Sequence, residues 1–423
     1  MKRLLFLGIG LIISINVNGQ STFAYEEFIA KADLYHLQKN QAKAIALYES
    51  AFRLRKPDAL NSYKAAGVYS LDGKIGKAAY YLKLALKLGW VETDMLFTDP
   101  YFYNLKKVNP QIWRQIVADA LALEKKYEVG LQFPKLRKEI NLMANKEQRL
   151  RYGRVQGHST SDENKIIREI QSVDSSNRSQ AKIIIKQFGW PKISDIGKDG
   201  QNNLWLIVQH ADDDVLFQKT ALLAMEKLMP ANELVLENYA FLYDRVQCNL
   251  NFRQLYGTQV NWLRNGEAAS FKSITDESSV NERREGLGML PMKVYALSYG
   301  FFYDNVTAIE AKKSIVIDRS NVRNLIDSAT RSYDQQVFDK VYEYYNKASM
   351  IVGGMEDAET FVAAKLFAEI AVTDSDPRYK SICLDFLNLL YLRNVLSRDM
   401  LSNKVFDILS SEPRWVFLSD QIH

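Results

Sequence analysis

Residues 32–54 read ADLYHLQKNQAKAIALYESAFRL, and residues 66–88 read AGVYSLDGKIGKAAYYLKLALKL. The two stretches align over their whole length at a separation of 34 residues. The residues that recur at the same offset include Ala32, Tyr35, Ala44, Ala51 and Leu54, which return as Ala66, Tyr69, Ala78, Ala85 and Leu88. Small side chains at a helix crossing allow two helices to approach closely. The pattern therefore predicts two consecutive helical hairpins.

The period of this repeat resembles that of tetratricopeptide repeats, in which each unit is a helix–turn–helix. Pro57 stands between the two units, where a helix has to stop. Asp72-Gly73 supplies a turn inside the second unit. We interpret residues 20–130 as tetratricopeptide-like helical repeats, with residues 91–128 as their cap. Such repeats leave a concave surface, so the resemblance implies a protein or peptide partner.

The composition indicates a globular and mostly helical protein. At 423 residues the chain exceeds a single ordinary core, so two or three domains are expected. A hydrophobic fraction of 47% and a charged fraction of 25% are typical of folded domains. Only nine prolines and 20 glycines are present, which disfavours a turn-rich β architecture. The predicted fold class is all-α.

The first 19 residues have the pattern of a secretory signal peptide. Lys2 and Arg3 precede an apolar run over residues 4–15, which is too short to span a bilayer. We predict cleavage between Gly19 and Gln20, a periplasmic or secreted location, and no transmembrane segment in the mature protein. The two cysteines, Cys248 and Cys383, are interpreted as free thiols.

The net charge is +5, and the distribution of the basic residues along the chain bears on one class of partner. Nucleic-acid-binding proteins concentrate their basic residues on one face or stripe. Here lysine and arginine are scattered and accompanied by acidic neighbours. We therefore predict no nucleic-acid partner.

A polar block occupies the centre of the chain between Trp205 and Gln259. It contains the motifs Trp205-Leu206, Gln209-His210-Ala211-Asp212, Phe217-Gln218, Tyr243-Asp244-Arg245 and Tyr256-Gly257-Thr258-Gln259. Together with Phe188-Gly189-Trp190-Pro191 and Glu282-Arg283-Arg284, these motifs resemble a bacterial family known only as a domain of unknown function. The resemblance covers residues 134–297 and implies a mostly helical domain without assigning an activity. Residues 298–423 then form a helical, repeat-like C-terminal region, because their apolar residues recur at helical spacing.

The polar block is the candidate functional site. We predict a helix from Leu204 towards Lys219, after a loop over residues 195–200; on that helix His210 and Asp214 share one face. Asp174–Arg178 is predicted to be a loop between two shorter helices. The candidate catalytic residues are His210, Asp214 and Asp244. The candidate ligand-binding residues are Gln209, Asp212, Gln218, Arg245, Tyr256, Gln259 and Arg283.

Three functions remain open for this block. His210 with Asp212, Asp214 or Asp244 could hold a divalent metal or act as a general base in a hydrolase or lyase. Alternatively, the block could bind a small ligand or peptide without chemistry, with Arg245 or Arg283 meeting an anionic group. A third interpretation is a buried network that ties helices together. The preferred hypothesis is a secreted interaction or ligand-binding protein, with the His210-centred enzyme as the alternative; the sequence leaves the cofactor and the reaction unidentified.

Overall fold

The structure, a computed structural model, describes residues 22–155 and 160–422. The predicted signal peptide and His158 lie outside the described residues. The chain is divided into two compact units. The first extends to Leu242 and adds Val260–Phe271 and Asn281–Asn305; the second comprises Tyr243–Gln259, Lys272–Val280 and the chain from Val306 onwards. Within the described ranges, no helix is long and apolar enough to cross a membrane.

The first unit begins with helical hairpins. The helices up to residue 128 are α1 (Thr22–Leu37), α2 (Gln41–Leu54), α3 (Ala59–Leu71), α4 (Ile75–Lys87), α5 (Thr93–Thr98), α6 (Tyr103–Val108) and α7 (Pro110–Glu128). Helix α1 packs on α2 and helix α3 on α4, as the repeat predicts. The repeated alanines are fully buried in both hairpins: Ala32, Ala44, Ala51, Ala66, Ala78 and Ala85. Pro57 lies between the hairpins, and Asp58 caps α3 by accepting from the amide of Asn61 at 2.7 Å.

Part of the surface of α1 is used inside the first unit. Helix α1 packs against a short helix far along the chain, Met292–Leu297. Gly300, just after that helix, lies against Leu34 of α1, where an added Cβ would come within 3.3 Å of the leucine. The sequence analysis expected the repeats to bind a partner. The packing of α14 on α1 reduces the surface of α1 that a partner could contact.

The middle of the first unit combines long helices with a small sheet and two short helices. Its elements are α8 (Pro134–Val155), α9 (Thr160–Phe188), α10 (Ile193–Gln209), α11 (Val215–Glu226), the beginning of α12 (Leu236–Asn249), strands β1 (Val260–Trp262) and β2 (Ala268–Phe271), α13 (Val280–Glu285) and α14 (Met292–Leu297). Helices α8, α9 and α10 pack against one another. Strands β1 and β2 form an antiparallel hairpin, with Val260 opposite Phe271. The all-α class is confirmed, with this small sheet as an addition that the sequence analysis missed.

Three local predictions in this bundle were wrong. Residues 174–178 are not a loop but continue α9, because Asn177 is buried and Asp174 is bound by Arg151 of α8. Residues 195–200 lie within α10, which has a kink at Gly197. The helix predicted from Leu204 towards Lys219 is two helices, since α10 ends at Gln209 and α11 begins at Val215.

The second unit is also helical and has its own core. After the end of α12 and the loop to Gln259, it contains α15 (Ala308–Asp334), α16 (Phe338–Ser349), α17 (Asp357–Thr373), α18 (Arg378–Leu392), α19 (Arg398–Leu401) and α20 (Pro413–Gln421). Helix α15 packs on α16 and α17 on α18. The core centres on fully buried aromatic and aliphatic side chains, among them Tyr345, Phe367, Leu387 and Phe406. Cys248 and Cys383 both lie in this unit as free thiols.

A buried arginine joins the hairpins to the helical bundle within the first unit. The side chain of Arg137 on α8 is completely buried. Its Nη1 donates to Glu124 at 2.9 Å and Glu128 at 3.1 Å, and its Nε donates to Asp199 on α10 at 2.7 Å. Its Nη2 donates to the carbonyl oxygen of Val91 at 2.9 Å. One cation therefore holds four segments together, and we call these residues the Arg137 cluster.

The kink of α10 at Gly197 allows Asp199 to reach Arg137. Gly197 has φ +75°, which residues with a Cβ rarely adopt. A Cβ at this position would collide with the hydroxyl of Tyr127 and come within 2.7 Å of Asp199. The glycine therefore lets α10 lie close enough to α7 for Asp199 to reach Arg137.

Glu92 next to this cluster makes the stability of the first unit dependent on pH. Burial and the charge of Asp199 raise the pKa of Glu92 to about 8, against the opposing effect of Arg137. The folded protein thus keeps a proton that the unfolded chain releases near pH 4.5. Because the unfolded state binds fewer protons over this interval, the free energy of unfolding falls as the pH rises from about 4.5 to about 8.

Glu92→Gln is expected to remove this pH dependence. Glutamine keeps the shape and carries no charge, so the variant should melt above the wild type at pH 8 and close to it at pH 5. Thermal unfolding across pH 4–9 measures the difference. The control is Glu169→Gln, an exposed site on α9. Equal pH profiles for wild type and Glu92→Gln would show that Glu92 does not hold the proton.

Candidate functional site

The site is built where the end of α10 meets α8 and α9. Glu147 on α8 is buried with 1% of its side chain exposed, and it contacts Nδ1 of His210. The same carboxylate accepts from Nε of Arg151 at 3.0 Å and from the amide nitrogen of Asn177 at 3.3 Å. Arg151 in turn donates from Nη2 to both oxygens of Asp174, at 2.9 and 2.8 Å. Residues from α8, α9 and the end of α10 are thus joined through Glu147 and Arg151.

This geometry determines which nitrogen of His210 is available. Burial raises the pKa of Glu147, but the bonds from His210 and Arg151 outweigh it, so the pKa lies below its ordinary value. An ionised carboxylate can only accept hydrogen bonds, so Nδ1 carries the hydrogen of the neutral ring. The lone pair is then on Nε2, for which the described residues provide no hydrogen-bond partner.

An open cavity of about 470 Å³ lies beside the imidazole. Its walls come from α9 and from the turn after α10: Gln171, Asp174, Ser175, Arg178, His210, Ala211, Asp212 and Asp213. The side chain of His210 is only 9% exposed, yet it reaches this space. Burial and the nearby charge of Glu147 raise the pKa of Asp174, against the effect of Arg151. The cavity therefore combines a positioned imidazole with charged and hydrogen-bonding groups.

Asp214 does not share a helical face with His210, because the helix is interrupted between them. His210 is the C-cap of α10, and Asp214 is the N-cap of α11. The Asp214 carboxylate accepts from the amide of Phe217 at 3.2 Å and pairs with Lys182 at 2.5 Å. Asp214 therefore caps the start of α11 and ties this helix to α9 through Lys182. Asp214 is not among the residues that line the cavity.

Two predicted ligand-binding residues hold this turn together. Gln218 is fully buried, and its Nε2 donates to the carbonyl oxygens of Val208 and Gln209, both at 3.3 Å. It also contacts the carboxylate of Asp212 at 3.4 Å. Gln209 is the last residue of α10 and is buried as well. Both residues therefore help to close the end of α10, and Asp212 is the member of this set that lines the cavity.

Asp244 and its neighbours belong to the second unit. Asp244 is fully buried and accepts from the backbone amides of Leu255 at 2.7 Å, Tyr256 at 3.0 Å and Thr258 at 2.9 Å. Burial raises the pKa of Asp244, while these amide bonds lower it. Both oxygens of Asp244 are thus engaged by the loop, which the carboxylate holds in place, and its catalytic role stays a prediction.

The remaining predicted residues are dispersed. Arg245 is on α12, Tyr256 stacks edge-on against Tyr243, and the amide of Gln259 donates to Gln254 at 2.7 Å. Arg283 lies on α13 in the first unit. None of these four residues lines the cavity at His210.

The sequence analysis assigned no role to Glu147 or Arg151. The sequence contains a signal for a buried charge at Glu147. This residue follows Ile140 and Met143 at helical spacing, so it lies on the same apolar face of α8. A charged residue at such a position needs a partner when the helix is buried. The partner is 63 residues away in the chain, so the sequence does not identify it.

The metal hypothesis finds no support among the residues that the structure describes. In residues 22–155 and 160–422, no group of three or more histidine, cysteine, aspartate or glutamate side chains is placed to hold a metal ion. Asp214 is directed to Lys182 and α11, so it does not complete a ligand pair with His210.

The fold and this site define an all-α protein with a carboxylate–imidazole pair beside an open polar cavity. Comparison with protein families gives a match over part of the chain. Residues 134–303 match the model of DUF6624, a family of unknown function. The match includes α8 to α14 and hence Glu147, His210 and the whole cavity. No curated protein and no solved structure matches the chain.

Proposed function

We propose that the first unit binds a small polar ligand in the cavity beside His210. The proposal depends on one observation: a nine-tenths buried imidazole lines the cavity, with one nitrogen held by Glu147 and the other without a hydrogen-bond partner among the described residues. A volume of about 470 Å³ is in the range of small-molecule sites. The proposal replaces the repeat surface as the preferred place of binding, because α1 is partly covered by α14.

Ser175→Phe is expected to abolish binding, since its side chain would fill the cavity that Ser175 lines. A library of polar metabolites, screened by ligand-observed NMR against the full chain, should give at least one hit with the wild type. The matched control is Ser176→Phe, one position further along α9 and not in the lining. Hits should survive in the control. No hit with the wild type, or hits that persist in Ser175→Phe, would refute the proposal.

A second candidate function is acid–base catalysis by His210. The observation that favours it is the same buried carboxylate on Nδ1, which fixes the tautomer and leaves Nε2 able to take a proton from a bound molecule. Glu147 would then be a positioning residue for His210. A hydrolytic reaction on an ester or phosphoester is the class that this arrangement serves most directly.

His210→Gln is expected to lower kcat by about 10²–10⁴-fold if this second function holds, because glutamine cannot accept the proton. Turnover of an ester and phosphoester panel measures the loss, and circular dichroism checks the fold. Glu147→Gln should change the pH profile of kcat as well as its size, which a purely structural effect would not do. Wild-type turnover that survives in His210→Gln would remove His210 from the reaction.

A further inference from the structure

One wall of the cavity of about 470 Å³ is a single face of α9. Four lining residues are spaced at i, i+3, i+4 and i+7 on this helix and so project from the same side of it: Gln171, Asp174, Ser175 and Arg178. The row is about 10 Å long, because a helix rises about 1.5 Å per residue. All four side chains are polar, and Ala211 is the one apolar residue in the lining that the described chain provides. A ligand with a large apolar part would therefore gain little from entering this cavity.

Two carboxylates of the lining are already bound to arginines. Asp213 pairs with Arg178, which also lines the cavity, and Asp174 accepts from Nη2 of Arg151 through both of its oxygens. A charged ligand gains little beside such a pair, because its attraction to one member is offset by its repulsion from the other. A neutral ligand leaves both pairs intact.

The same wall still offers hydrogen-bond donors and acceptors side by side. The carboxamide of Gln171 has two N–H donors and a carbonyl acceptor, and the hydroxyl of Ser175 both donates and accepts. Neither side chain has a hydrogen-bond partner among the described residues. An ionised carboxylate has about four lone-pair sites, so Asp174 and Asp213 can accept further bonds while they stay paired.

Hydroxyl groups match a wall of this kind better than other polar groups do. A hydroxyl donates one hydrogen bond and accepts up to two, whereas an ammonium group only donates and a carboxylate only accepts. A sugar ring carries several hydroxyls at fixed relative positions. Its rigidity lowers the entropy that a flexible chain of hydroxyls would lose on binding.

We infer that the cavity beside His210 binds a neutral saccharide through its hydroxyl groups. The inference rests on the proposed function, because it names the ligand class of the same site. The hydroxyls of one sugar ring exchange hydrogen bonds with the side chains of Gln171 and Ser175. They also donate to the carboxylates of Asp174 and Asp213, whose ion pairs remain closed.

Three neutral sugars test the inference: D-glucose, D-galactose and D-mannose, each titrated at constant pH and ionic strength. Tetrahydropyran, which has the same ring without hydroxyls, is the matched control ligand, and propylammonium and propionate represent charged ligands. Binding is followed through the imidazole signals of protein labelled with ¹⁵N at its four histidines, with the His210 signals assigned from His210→Gln. At least one sugar is expected to shift the His210 signals in a saturable way, and tetrahydropyran to leave them in place.

Gln171→Met should weaken the binding of that sugar by roughly three- to tenfold. Methionine keeps the length of the side chain but lacks the N–H donors and the carbonyl acceptor of the amide. The matched control is Gln115→Met, which changes an exposed glutamine of α7 outside the lining and should bind the sugar as the wild type does. Equal affinities in Gln171→Met and the wild type would overturn the inference.

The outcomes separate this inference from the proposed function. If none of the three sugars binds in a saturable way, or if tetrahydropyran binds as tightly as they do, the saccharide inference is overturned. Saturable binding of propylammonium or propionate without binding of a sugar would also overturn it and leave the cavity as a ligand site. The Ser175→Phe screen decides the proposed function independently, because its library is not restricted to sugars.

Discussion

Arg137→Met is expected to destabilise the first unit by about 3–5 kcal/mol, the range for removing one partner of a buried ion pair. Methionine fills much of the same space but leaves Glu124, Glu128 and Asp199 without their common cation. The carbonyl oxygen of Val91 loses its donor as well. Urea unfolding followed by far-UV circular dichroism measures the loss.

Arg149→Met provides the matched control, because Arg149 is an exposed residue of the same helix. Its effect should stay within about 0.5 kcal/mol, as for ordinary surface substitutions. Adding Asp199→Asn to Arg137→Met should recover part of the stability, since one uncompensated charge is removed. A single Arg137→Met variant as stable as the control would show that the Arg137 cluster does not hold the unit together.

Asp244→Asn is expected to cost the second unit about 3–5 kcal/mol. The substitution keeps one oxygen acceptor but directs an NH₂ group at backbone amides that need acceptors. Leaving buried donors unpaired costs about 1–3 kcal/mol for each group, and three amides converge on this carboxylate. The loop from Leu255 to Thr258 should also become accessible, which hydrogen exchange at these amides would detect.

The control for this change is Asp327→Asn on the exposed side of α15, in the same unit. Its unfolding free energy should remain close to that of the wild type. If Asp244→Asn unfolds at the same denaturant concentration as this control, the amide bonds at Asp244 contribute little to stability. Retained protection of the Leu255 and Thr258 amides in Asp244→Asn would likewise contradict the prediction.

The sequence determined the helical class and the first two hairpins because these features depend on local spacing. The recurrence of Ala32 and Ala44 as Ala66 and Ala78 specifies where helices cross, and all four alanines are fully buried. Asn109-Pro110 is another local signal, since asparagine caps helices and proline favours their first turn; Asn109 accepts from the amide of Ile112 at 3.1 Å. Such signals involve residues within one turn or one repeat of each other.

Only the tertiary structure decided the site, because its members are distant in the chain. Polar residues near His210 suggested a helix face, yet Asp214 and Gln218 serve to end one helix and begin the next. The partner of His210 is Glu147 on another helix. A sequence shows that a buried charge needs a partner, but packing alone determines which distant side chain provides it and which nitrogen of the imidazole that partner holds.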